Sequence, residues 1–176
     1  MGQVGDEGLA ISEDPMRQGR FELRLAPDWD TVKSAWDDCH RFFVEHGLDA
    51  DQAYALSMTA QELLENAVKY GGFTNPAQRV ELSVAMGQTD VTIEVKAPAH
   101  QDPVRLKKLD DTVQWIRGYQ SPFEAYVEKL KQVSAQPYEP GESGLGLARI
   151  AYEGQCVLDF YVDETNTLAM SAVHRR

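Results

Sequence analysis

Glu62, Asn66 and Lys69 are the residues of this chain whose types and spacing could do chemistry. At about 100° per residue in a helix, they fall within roughly 60° of one another, so an acid, an amide and an amine line one edge. A carboxylate can take a proton from an attacking hydroxyl or water. An amide oxygen suits Mg²⁺, a hard cation that prefers oxygen ligands. An amine can neutralise phosphate charge. Leu56, Ala60, Leu63 and Ala67 occupy the opposite arc, with Ala53 beside them, which makes that arc the buried one. Any amphipathic helix also has a polar face of this kind. Asn66 argues for more than a solvated face, because asparagine is a weak helix former in an interior turn.

A second element is Gly141-Glu142-Ser143-Gly144-Leu145-Gly146-Leu147, directly before a short apolar helix. Glycines let the backbone approach a ligand closely, and a helix N-terminus aims amide hydrogens at phosphate. A Gly-x-Gly alone is usually just a turn, and its position before an apolar helix is what makes this one worth following.

The elements that must position these residues follow from periodicity. Residues 20–26 alternate, with Phe21, Leu23 and Leu25 on one side, and read as a strand ended by Pro27. Trp29 to His46 reads as a helix on Val32, Trp36, Phe43 and Val44, stopped by Gly47. Asp49 or Asp51 can cap the helix that carries Glu62, which runs to Tyr70 and closes on Gly71-Gly72. A hairpin follows, with Val80, Leu82 and Val84 on one arm and Val91, Ile93 and Val95 on the other, ended by Pro98. Between residues 100 and 142 the pattern turns helical. Asp102-Pro103 opens one helix, ended by Gly118, and Ser121-Pro122-Phe123-Glu124 is a capping box for another, before a Pro- and Gly-containing loop over 136–141. A short helix over Leu147 to Glu153 and a closing hairpin, 157–162 and 168–173, complete the chain. The order predicts an α+β two-layer sandwich, a mixed, mostly antiparallel sheet with helices on one face. The expected organisation is a loose arm over 1–19 and one domain over 20–176, with 100–142 as a helical insert.

Together these residues resemble a known family. Glu62-x-x-x-Asn66-Ala67-x-Lys69-Tyr70 resembles the N box of the GHKL, or histidine kinase-like, ATPases, and Gly144-Leu145-Gly146-Leu147 resembles their second glycine box. Upstream, the strand and the helix ending Phe42-Phe43-Val44-Glu45-His46-Gly47-Leu48 look like the anti-sigma serine kinases of bacterial partner-switching systems. The resemblance covers roughly residues 21–173. It implies a Bergerat-like fold, with the residue matching Glu62 activating an attacking hydroxyl, Asn66 holding Mg²⁺, and the segment before the second glycine box acting as a lid over ATP. The cofactor-binding residues it implies are Asn66, Lys69, Tyr70, Ala97, Gly144, Leu145, Gly146 and Leu147. No phospho-acceptor histidine helix precedes the matched region, so the expectation is a regulator and not a complete histidine kinase. One box is degenerate. The family's Asp-x-Gly, whose aspartate bonds the adenine amino group, is replaced by Ala97-Pro98-Ala99. Losing such a contact costs on the order of 1–3 kcal/mol, roughly 10- to 100-fold in affinity.

Two function classes follow. One is a protein serine/threonine kinase or ATP-dependent switch using ATP and Mg²⁺, acting on an antagonist or regulator domain. The other is a non-catalytic interaction module of the same fold. Glu62 and Asn66 favour the first, Ala97 and Ala99 the second. A homodimer is left open. The net charge of −11 repels a phosphate backbone and argues against nucleic acid and anionic membrane as partners. The absence of a long apolar run or a signal-peptide pattern makes the expectation cytoplasmic. Cys39 and Cys156 have no metal or redox spacing and read as reduced core thiols. His40, His46 and His174 are scattered, His100 is a weak substitute ligand at the altered box, and Trp115 is a candidate partner contact. The insert's Leu106, Leu109, Val113, Ile116, Phe123, Tyr126 and Leu130 are more apolar surface than a solvent-washed flap needs.

Overall fold

The computed structural model describes residues 19–135 and 144–176, so the expected arm over 1–19 (all but Gly19), the loop over 136–141 and the Gly141-Glu142-Ser143 start of the glycine motif lie outside the described residues. The chain opens with β1 (Arg20–Leu25), whose alternation buries Phe21 against Phe42, ring centroids 5.3 Å apart. Asp28 starts α1 (Trp29–Glu45) by accepting a hydrogen bond from the Thr31 amide. The buried stripe of α1 is Val32, Ala35, Cys39, Phe42 and Phe43, whereas Val44, expected on that stripe, is 49% exposed. The helix stops where Gly47 takes φ +82° and the Leu48 amide turns back to the Phe43 carbonyl.

Of the two candidate caps for the next helix, Asp49 is the one used: it accepts from the Gln52 amide at the head of α2 (Ala50–Tyr70). Ala53, Leu56, Ala60, Leu63 and Ala67 are fully buried, so the apolar arc is the core face. Each large one contributes about 1.5–3 kcal/mol from burial. The end of α2 is fixed by a close backbone approach. The Gly72 amide donates to the Pro98 carbonyl at 2.8 Å, and a Cβ on Gly72 would stand 2.4 Å from the Ala99 oxygen. Glycine is required there by space.

The strands β2 (Val80–Met86) and β3 (Asp90–Pro98) form the expected hairpin, and the insert supplies α3 (Pro103–Arg117) and α4 (Pro122–Ala135). After α5 (Leu145–Tyr152) come β4 (Cys156–Val162) and β5 (Thr167–Arg175). The sheet order is β1-β2-β3-β5-β4, and every pairing is antiparallel. Ile93 and Val95, in register with Val84 and Leu82 on one side and Ala172 and Met170 on the other, form the buried face under α2. The opposite face carries charge pairs such as Arg24–Glu81 and Lys96–Glu94. The insert belongs to the same core, because Leu109, Val113, Ile116 and Ala125 are buried within it. Among the described residues no helix is long and apolar enough to cross a membrane.

Candidate functional site

The site is assembled where α5 docks on α2. Gly144 stands in the left-handed region at φ +62°, a conformation glycine adopts without strain, and turns the chain directly into α5. The helix therefore begins at Leu145, two residues before the expected start, so Leu145, Gly146 and Leu147 already lie on it. Gly146 meets the polar edge of α2. A Cβ there would fall 2.1 Å from Glu62 Oε2 and 3.0 Å from its Cδ, so with any residue but glycine the carboxylate would have to move from this position.

One turn further on, Arg149 donates from Nη1 to Glu62 Oε1 at 2.8 Å. Its Nε and Nη2 reach Glu153 at 3.2 and 3.3 Å. This pair is more protected than a surface one, with side-chain exposures of 31% for Arg149 and 17% for Glu62. Burial raises the Glu62 pKa above its ordinary value, and Glu65 adds to that effect. The Arg149 charge pulls it down without cancelling the rise. Burial works against the Arg149 charge as well, but Glu153 and Glu62 outweigh it and raise its pKa.

Asn66 sits one turn after Glu62 and donates Nδ2 to the Glu62 carbonyl at 2.6 Å, leaving its amide oxygen as the group able to accept or coordinate. Lys69 is two turns from Glu62, with its ammonium 5.3 Å from the centre of the Tyr70 ring and its carbonyl taking a bond from Arg105 of α3. Tyr70 and Leu147 are 4% and 2% exposed, so their side chains serve the core. Ala97 is buried on β3, paired in register with Leu168, and offers no polar side-chain atom. His100 accepts the Asp102 amide at 2.9 Å and thereby shapes the turn into α3.

The insert closes over the start of α5. Lys129 of α4 lies against Gly144, its Cε 3.0 Å from where a Cβ would be, and its ammonium is 5.5 Å from the centre of the Trp115 ring. Between α3 and α4 is a cavity of about 420 Å³ lined in part by Lys107, Lys108, Thr112, Trp115 and Lys129. Burial, with Lys108 nearby, lowers the Lys129 pKa. Phe123 and Tyr126 each place a ring 5.2 Å from Tyr152, tying α4 to α5.

Of the residues singled out by sequence, the structure brings Glu62, Asn66 and Gly146 together, with Gly144 at the head of the same helix. It does not bring the Tyr70 or Leu147 side chains to them. Sequence reasoning missed Arg149, Glu153 and Lys129. The signal for Arg149 was its being the single charge in the otherwise apolar Leu145–Tyr152 helix.

A family model described as histidine kinase-like ATPase domain matches residues 25–170. Among solved structures, the chain is similar to one in the crystal structure of the SiaB-SiaC complex from Pseudomonas aeruginosa. That match has a TM-score of 0.67 at 16% identity and covers 90% of this chain and 91% of the other. It is also similar to the structure of the RsbU and RsbW domains of Rv1364c from Mycobacterium tuberculosis, with a TM-score of 0.52 at 12% identity. That match covers 89% of this chain and 32% of the other. At these identities the likeness is one of fold. No curated protein sequence matches the chain.

Proposed function

The chain belongs to the histidine kinase-like ATPase domain family, and from that premise we propose that it is an anti-sigma-like regulatory domain that binds Mg·ATP and phosphorylates a serine or threonine of a protein partner. The observation that carries this reading is the contact between Glu62 and Gly146, which joins the candidate base to the glycine turn at the head of α5. Glu62 would take the proton of the attacking hydroxyl, and its raised pKa moves it toward neutrality, where a general base works best. The Asn66 amide oxygen, left over from the bond to the Glu62 carbonyl, fits a hard cation. Lys69 and the backbone at Gly144 and Gly146 would hold phosphate oxygens, so that catalysis is mostly positioning and charge neutralisation. ATP would supply the phosphoryl group, and Mg²⁺ would share its charge. The two similar structures, a SiaB-SiaC complex and a chain joining RsbU and RsbW domains, support a protein partner.

The second reading, an interaction module without nucleotide, is favoured by Ala97. The phosphate end of the site fits the ligand, but the adenine end lacks the polar side chain the family uses. Chemical-shift mapping of the ¹⁵N-labelled protein with Mg·ATP separates the two. The expected result is perturbation centred on the amides of Glu62, Asn66, Gly144 and Gly146. Shifts absent to millimolar nucleotide would leave the interaction module.

A further inference from the structure

The sheet has two edges, and the chain finishes only one of them. At the β4 edge the Asp163 amide donates to the Thr167 carbonyl. In that register Asp159 and Tyr161 bond to β5, and the backbone of Leu158 and Phe160 faces outward. The outward Leu158 carbonyl accepts from Arg117 of α3, and the outward Phe160 amide donates to Asp159 Oδ1 at 2.9 Å. β1 lies at the other edge. There the Met86 amide donates to the Gly19 carbonyl at 2.7 Å. In the same register Phe21 and Leu23 bond to β2, and the backbone of Arg20, Glu22 and Arg24 faces outward. Among the described residues no hydrogen bond reaches these outward amides and carbonyls. A row of unpaired backbone groups is a template for another strand. Leu23 and Leu25 are only partly buried, so the apolar layer beneath the helices runs out to this open edge.

We infer that the free edge of β1 is where a second copy of this chain docks, antiparallel, about a two-fold axis at Leu23. The order of charges selects both the occupant and the register. With Leu23 opposite Leu23 of the second copy, Glu22 faces Arg24 of the second copy, and Arg24 faces its Glu22. These are the positions whose amides and carbonyls point outward. Each pair can exchange backbone bonds while joining opposite charges on the outer face, and Phe21 meets Leu25 of the second copy on the core side. A slip of two residues one way sets Glu22 against Glu22 and Arg20 against Arg24. The same slip the other way sets Arg24 against Arg24. Charge on an edge strand ordinarily deters pairing, and here the order of signs admits the register about Leu23 and opposes its neighbours. Arg24 already meets Glu81 at 3.1 Å, but its side chain is 74% exposed and a guanidinium has donors for both carboxylates. The net charge of −11 makes two copies repel at long range, and one strand pair is a small interface, so the dimer is a weak one. Nothing in this inference depends on nucleotide or on the site at Glu62.

The test is sedimentation equilibrium of the full chain, without nucleotide, from micromolar to millimolar concentration. It compares the wild type with Glu22→Arg, Arg24→Glu and the double variant carrying both substitutions. The wild type should dimerise reversibly in this range. Each single variant turns both opposite-charge pairs into like-charge pairs and should weaken the dimer by roughly tenfold or more. The double variant exchanges the signs within the same register and should dimerise about as well as the wild type. An equal mixture of the two single variants should also form a dimer, since each supplies the sign that the other lacks. Both side chains are exposed, so the variants should fold, and circular dichroism checks that they do. Hydrogen exchange at the Glu22 and Arg24 amides should slow in the concentrated wild type and stay fast in either single variant. A wild type that remains monomeric to millimolar concentration overturns the inference and leaves the edge to a strand from another protein. A dimer equally strong in the single variants also overturns it, because the contact would then lie on a different face.

Discussion

Gly146→Ala is the substitution most diagnostic of the α2–α5 contact. The new methyl would stand 2.1 Å from Glu62 Oε2, and a Cβ tolerates little closer than 3.0 Å, so the carboxylate must retreat by about 0.9 Å. A displacement of that size is enough to break a hydrogen bond of 2.8 Å to Arg149. Loss of a charge-assisted bond within a half-buried pair costs about 1.5–3 kcal/mol, while alanine in place of glycine in a helix returns about 1 kcal/mol. The net expectation is a loss of about 0.5–2 kcal/mol at neutral pH, read as a lower urea midpoint at unchanged slope. The sign with pH follows from the Glu62 carboxyl. Its folded-state pKa already lies above the ordinary value of 4.5 and would rise further once Arg149 is lost. Ionised Glu62 therefore costs stability, so the deficit is full above the raised folded value and shrinks as the pH falls toward about 4.5. In a Glu62→Ala background the obstruction is gone, and Gly146→Ala should be neutral or stabilising by about 0.5–1 kcal/mol. An equal penalty in both backgrounds would mean that the Glu62 carboxylate is not what the new methyl meets.

Further outcomes follow from other close contacts. Gly72→Ala must push on the Ala99 carbonyl and the His100 α-carbon, 2.4 and 2.7 Å from the new methyl, which are backbone atoms that cannot swing aside. A loss of about 1–3 kcal/mol in chemical denaturation is expected, and a wild-type midpoint would mean that the end of β3 is not held there. Cys39 and Cys156 are buried, with burial pushing both thiols up to about 12. Neither should react with an aromatic disulfide at neutral pH until the protein unfolds, and rapid labelling of the native state would contradict the packing. Ala97→Asp should tighten Mg·ATP binding by roughly tenfold or more if adenine lies over β3, at some expense of stability without nucleotide because a carboxylate would enter a buried position. A destabilised variant with no gain in affinity would place adenine elsewhere.

The parts of the fold written in local chemistry were legible in sequence. Alternation of Val80, Leu82 and Val84 and of Val91, Ile93 and Val95 gave the hairpin, Asp49 was one of the two candidate caps for α2, and the 3.6-residue rhythm of Leu56, Ala60, Leu63 and Ala67 gave the core face of α2. The edge carrying Glu62 and Asn66 followed from the same rhythm. What was not legible depends on distance in sequence. Arg149 meets Glu62 across 87 positions, and no periodicity carries that information. The order β1-β2-β3-β5-β4 is likewise a tertiary outcome, in which β5 lies beside β3 and β4 lies at the edge. Family motifs also blur side chain with backbone. Tyr70 and Leu147 sit in the matching boxes, yet their side chains are core, so what the boxes position there is main chain. On α1, Val44 is apolar at a plausible spacing but lies outside the stripe set by Ala35 and Cys39, because at about 100° per residue it falls roughly 140–180° around the helix from them.

The proposed phosphate-end site, built from Glu62, Asn66 and the turn at Gly144, is tested most directly by calorimetric titration of ATP with Mg²⁺. Micromolar binding to the wild type is expected, weakening in Asn66→Ala, which would remove the proposed cation's amide oxygen, and persisting in Glu62→Ala, which would remove only the proposed proton acceptor. Absence of heat up to millimolar ATP, or equal affinity in Asn66→Ala, would contradict it.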